Sequence, residues 1–135
     1  MNTSKLLFGA KLLFGALVSL TASGIATAQD AAKVDAKHYK VVEENAEMRI
    51  LHVHYGPHEK SVMHSHPAGA VVYLSDGKMT FHMPDGKTQD MTGKNGEARY
   101  TPAMTHLPEN TGDQPFDAIV IELKPHKKAA TAPTK

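Results

Sequence analysis

From Met48 to Tyr55, apolar and polar side chains alternate. Leu51, Val53 and Tyr55 fall on one face, and Ile50, His52 and His54 on the other. A period of two marks a β-strand that buries one side. Residues 39–42, 61–66, 70–74, 79–83, 88–91, 98–101 and 116–123 also read as strands, and turn sequences separate them. Ser75-Asp76-Gly77-Lys78 predicts a hairpin, since Asp-Gly supplies the positive φ angles such turns need. Pro84-Asp85-Gly86-Lys87 and Lys94-Asn95-Gly96 predict two more reversals. Met79, Phe81 and Met83 should line the interior with His82 outside, and Ile119, Ile121 and Leu123 should form the buried face of the last strand. No helical period of useful length follows residue 28, so the pattern predicts an all-β barrel or sandwich from about residue 41 to residue 124. Pro125 and the Ala/Lys/Thr/Pro tail after it cannot extend a sheet.

The ends of the chain read differently. Lys5 and Lys11 precede an uncharged run from Leu12 to Leu20, and Ala26-Thr27-Ala28 supplies a small-residue cleavage signal, as in a secretory leader covering residues 1–28. The apolar run after Lys11 is shorter than the roughly 20 residues needed to span hydrocarbon. The expected product is an exported protein, periplasmic or secreted, that begins at Gln29. The tandem Lys-Leu-Leu-Phe-Gly-Ala at residues 5–10 and 11–16 lies inside this leader and implies no structural repeat. Residues 29–40 are small, charged and weakly periodic, which predicts a loose arm.

Without the leader, thirteen basic residues face fourteen acidic ones. Near neutrality, with Arg49 and Arg99 as the two arginines of the chain, argues against nucleic acid as the partner. The absence of cysteine excludes disulfides, thiol catalysis, thiolate metal sites and a lipidated cysteine, so stability must come from core packing and any bound metal. The strand at Met48–Tyr55 is expected to offer an edge through which two copies pair into a homodimer.

The candidate chemistry lies in the histidines. His64 and His66, two apart on one strand, aim their imidazoles the same way, which is a metal-chelating geometry. His106 lies forty residues beyond His66 in a second run of strand and turn signals. His52 and His54 form a competing pair, but their strand has an apolar face that more naturally points inward, which leaves them at the surface. His58, beside Glu59 in a loop, is within reach of the rim of such a site, while His38 and His126 lie in the ends and carry no hypothesis.

These stretches resemble the paired motifs of the cupin superfamily. Gly56, His64, His66 and Gly77 match the first motif, with two extra residues before His64 and with Ala70 at the position of the usual glutamate ligand. Gly96, Pro102, His106 and Asn110 match the second, with Met104 at a glycine position and one residue fewer before His106. The resemblance covers about residues 41–124 and implies a single antiparallel β-barrel of jelly-roll type holding one divalent metal on His64, His66 and His106. Asn110 reads as a turn former.

Three neutral imidazoles bring no negative charge to the ion. They suit iron or zinc first, with nickel, copper and manganese open. Two functions follow as expectations. One is a binding module that holds a small molecule at the metal. The other is a metal-dependent enzyme, such as a non-haem iron dioxygenase or an isomerase acting on a small carboxylate or diketone, with Glu59, Tyr73 or Tyr100 as acid or base.

Overall fold

The structure, a computed structural model, describes residues 29–125. The leader at 1–28, the tail at 126–135 and His126 lie outside the described residues. Among the described residues, one helical turn, α1 (Ala31–Val34), is followed by nine strands: β1 (Tyr39–Glu44), β2 (Met48–Tyr55), β3 (His64–His66), β4 (Gly69–Tyr73), β5 (Gly77–His82), β6 (Thr88–Gly93), β7 (Ala98–Thr101), β8 (Met104–Asn110) and β9 (Phe116–Leu123). They form a five-stranded sheet in the order β1-β2-β9-β4-β7 and a four-stranded sheet in the order β3-β8-β5-β6. Every strand pairing is antiparallel. The all-β jelly-roll expectation holds, with the two sheets facing each other instead of closing into one continuous barrel.

The core lies between the sheets. Leu51, Val53 and Tyr55 of β2 are buried, as their alternation predicts, beside Val71 and Tyr73 of β4, Phe116 and Ala118 of β9 and Met79 of β5. Phe81 packs against this cluster, whereas Met83 lies beyond the end of β5 and outside the core.

In β9 the predicted face is reversed. Phe116, Ala118 and Glu122 are buried, while Ile119 and Ile121 are half-buried on the outside and Leu123 is exposed. Both faces of this strand are apolar at its centre, and the inner one is disguised by Glu122, a charge buried against partners from β2 and β3.

The turns at Gly86 and Gly96 form as predicted, with φ of 83° and 82°. Asp76-Gly77 is not a hairpin, because β4 and β5 belong to different sheets. Gly77 is required for space instead: a Cβ there would sit 2.6 Å from the Phe116 ring. Nor is β2 an edge strand, since β1 and β9 flank it.

Residues 29–40 are not a loose arm. Ala31 is fully buried, Asp35 and His38 are nearly so, and the Gln29 carbonyl accepts the Ser65 N–H at 2.7 Å, which ties the segment along β3. The His38 ring stacks on Tyr55 with centroids 4.2 Å apart.

Candidate metal centre

The sheet register brings the three histidines together. β3 and β8 run antiparallel with His64 directly opposite His106, and His66, two residues on, shares the face of His64. Ring centroids are 4.8 Å apart for His64 and His66, 5.0 Å for His64 and His106, and 5.4 Å for His66 and His106. One nitrogen from each ring lies within 4.8 Å of the others, a group that could hold a metal ion.

Hydrogen bonds decide which nitrogens are free. Nδ1 of His64 donates to the Val62 carbonyl at 2.8 Å, which leaves Nε2 as a lone-pair atom. Nδ1 of His66 lies 2.6 Å from Oε1 of Glu122, which likewise directs Nε2 toward the cluster. Nε2 of His64 and both ring nitrogens of His106 are buried without a partner among the described residues. Leaving buried polar atoms unpaired is destabilising, and a cation would satisfy Nε2 of His64 and one nitrogen of His106 by taking their lone pairs. The residues present therefore fit a metal.

The electrostatics agree. Burial, reinforced by the neighbouring His66, holds the His64 imidazole down to about 4. Burial, with His66 and His64 adding to it, holds His106 down to about 3. Both rings are neutral at physiological pH, the form that ligates metals.

Two expectations about charge need correction. Ala70 does not adjoin the histidines. Gly69, Val71 and Tyr73 form the buried face of β4, and Ala70 points to the outer face. Its neighbour Val71 lines the cavity beside the site. The centre is also not without negative charge, because Glu122 touches His66 directly. Glu122 occupies a core-facing position of β9 opposite Arg49 of β2, accepts a hydrogen bond from its Nε at 2.7 Å and is ion-paired with its Nη2 at 2.6 Å. The signal for it in the sequence was a lone acid among the apolar residues of one face of the last strand.

The other candidates fall elsewhere. His52 and His54 face outward around Asp117, at 3.2 and 2.9 Å. His82 pairs with Glu109 on the outer side of β5, and exposed His58 pairs with Asp113 away from the site. Glu59 is bound by Lys37, by the Gly56 N–H and by His38, and lines no part of the cavity. Asn110 is fully buried and closes the turn as expected: its Nδ2 donates to the Gly56 and Gln114 carbonyls at 2.9 Å, and its Oδ1 accepts from Gly112 N–H at 3.0 Å.

His66 and His106 stand on the wall of a cavity of about 330 Å³ between the sheets. Most of its lining is apolar, including Val53, Val71, Met79, Phe81 and Val120. Such a chamber suits the burial of a small molecule. Its polar groups are few. The Tyr55 hydroxyl donates to the Tyr39 oxygen at 2.9 Å. Arg99 is held by Glu97 and lies over the Tyr73 ring at 5.3 Å. Burial pushes the Tyr39 hydroxyl well above its ordinary value and Tyr73 upward as well. Both therefore stay protonated at neutral pH, and their hydroxyls can donate a hydrogen bond. Tyr100 is exposed at the mouth.

Two sheets in jelly-roll order with three histidines buried between them define a cupin architecture, and the comparisons agree. The cupin domain family model matches residues 51–122, and the chain belongs to that family. A cupin domain from Bordetella pertussis Tohama I aligns at 21% identity and a TM-score of 0.60, covering 64% of this chain and 92% of its own. A conserved double-stranded β-helix protein from Klebsiella pneumoniae aligns at 23% and 0.51, covering 63% and 74%. An RmlC-like cupin family protein from Methanocaldococcus jannaschii aligns at 17% and 0.51, covering 63% and 77%. At these identities the likeness shows the fold alone. Comparison with curated proteins gives no match.

Proposed function

We propose that this chain is an exported cupin that holds one divalent transition metal on His64, His66 and His106 and seats a small molecule in the adjoining cavity. The observation that carries this reading is the set of unpartnered, buried imidazole nitrogens beside an apolar chamber. Nitrogen donors favour iron or zinc, with nickel, copper and manganese open. A bound ion of this kind would act as a Lewis acid toward an oxygen-bearing ligand. The histidines leave coordination positions free, and the apolar walls select a ligand with a hydrocarbon body and an anionic or enolisable head. The Tyr39 and Tyr73 hydroxyls can orient that head as donors.

Export rests on the leader pattern at residues 1–28, and homodimerisation belongs to the same proposal. Intact-mass measurement of the secreted product should show a chain that begins at Gln29. A membrane-bound product that keeps residues 1–28 would refute export.

Metal analysis of protein purified without chelator tests the core of the proposal. Alanine at His64, His66 or His106 should remove most of the metal, whereas His52→Ala and His82→Ala should not. Equal metal in wild type and His106→Ala would refute the three-histidine centre.

The alternative reading is a non-haem iron dioxygenase or an isomerase acting on a small carboxylate or diketone. The free coordination positions favour it. The apolar lining and the shortage of a general base in the cavity favour binding. Turnover on a panel of small carboxylates and diketones, under air with iron restored, separates the two.

A further inference from the structure

Residues 29–38 lie outside the stretch matched by the cupin family, yet they are bonded into the histidine cluster from behind. Asp30 Oδ2 accepts from Arg49 Nη1 at 2.7 Å. Arg49 in turn donates through Nε to Oε2 of Glu122 at 2.7 Å, and its Nη2 lies 2.6 Å from the same oxygen in an ion pair. The other oxygen, Oε1, is 2.6 Å from Nδ1 of His66. Beside this chain, Asp35 accepts from the Ser61 hydroxyl, whose oxygen lies 3.3 Å from Nδ1 of His64. The Gln29 carbonyl holds Ser65, the residue between the two histidines.

We infer that Glu122 is a positioning residue of the metal centre, and that the 29–35 segment holds it in place through Asp30 and Arg49. The inference rests on the three-histidine reading above. One oxygen of Glu122 meets Arg49, and the other lies on the ring of a histidine in the cluster. A carboxylate on Nδ1 fixes the tautomer and the ring plane of a ligating histidine and raises the basicity of Nε2. It also gives the centre the negative charge that a ligand carboxylate would otherwise supply. Arg49 draws on that charge, and Asp30 offsets Arg49. The sequence upstream of the matched domain thus becomes part of the site.

Cobalt(II) serves as the probe, with three measurements on wild type, Glu122→Gln, Asp30→Asn and the remote exposed control Asp113→Asn. These are affinity by chelator competition, the visible absorption of the cobalt-loaded protein and the thermal midpoint of the metal-free protein. Glu122→Gln keeps an oxygen for Nδ1–H but removes the charge, so affinity should fall roughly ten- to a hundredfold with a shifted cobalt spectrum. Asp30→Asn should lose less in the same direction, with little change in the metal-free midpoint. Asp113→Asn should match wild type. If Glu122→Gln fails to fold, Asp30→Asn carries the test.

Affinities of both variants within about twofold of wild type would overturn the positioning role while leaving the metal reading intact. So would losses that follow the metal-free midpoint with an unchanged cobalt spectrum. Failure of wild type to bind cobalt would remove the three-histidine reading itself, and this inference with it.

Discussion

At the scale of single residues, the histidine cluster is a site kept neutral by its surroundings, and that makes it acid-sensitive. His64 and His106 titrate in the folded protein at about 4 and about 3 because burial opposes their charged forms. In the unfolded chain both return to about 6.5. Between these limits the unfolded state binds more protons, so stability rises with pH through this window and is fully present above about 6.5. Metal-free protein should therefore lose thermal stability progressively as the pH falls from about 6.5 toward 3. Bound metal should be retained into the mildly acid range and released as the pH nears 4, where protons compete for the same nitrogens. A midpoint of chelator-treated protein that stays flat from pH 7 to pH 4.5 would contradict this account. His64 and His66 were legible because period-two spacing needs no tertiary information. Glu122, Arg49 and Asp35 were not, because their roles depend on partners far away in the chain.

At the scale of elements, β2 and β9 show where pattern reading succeeds and where it fails. In β2 one face is apolar and the other carries His52 and His54, so the buried side is unambiguous. In β9 the larger isoleucines lie outside, and the inner face consists of Phe116, Ala118, Val120 and a charge. Hydrophobicity alone chooses the wrong side, because Glu122 enters the core already paired with Arg49 and His66. The segment at 29–40 failed for a related reason: its small and charged residues are anchored by Arg49, Ser61 and Ser65, which lie in or beside distant strands. Substitutions separate the two faces of β9. Ala118→Asp places an unpaired charge where exposure is 1% and should prevent folding, since such burial costs several kcal/mol against a total of about 5 to 15. Ile121→Asp, on the outer face, should leave the monomer folded. Leu51→Ala, at a fully buried position, should cost about 2 to 5 kcal/mol. Thermal midpoints of the three variants check the assignment. Equal midpoints for Ala118→Asp and wild type would show that the inner face has been misplaced.

At the scale of the whole molecule, the same outer face bears on assembly. Because β1 and β9 cover both edges of β2, two copies cannot pair through Met48–Tyr55 by hydrogen bonds. The register instead aligns Ile50, Ile121 and Ala70 in one row across β2, β9 and β4, and His52, Ile119 and Val72 in the next. Leu74 and Leu123, 46% and 54% exposed, extend the patch at its ends. The backbone there is fully paired within the sheet, so what remains to be satisfied is apolar side-chain surface, which contiguous patches satisfy by association. A second copy would present the identical rows, and a two-fold axis through the patch would bury both at once, with aliphatic groups meeting across it. We expect a dimer by light scattering at tens of micromolar, and a monomer of unchanged metal content for Ile121→Asp, because its carboxylate would be trapped unpaired at the centre of the contact. His82→Ala, on the other sheet, should stay dimeric. A wild-type monomer at that concentration, or a dimer that survives Ile121→Asp, would rule out this face as the contact.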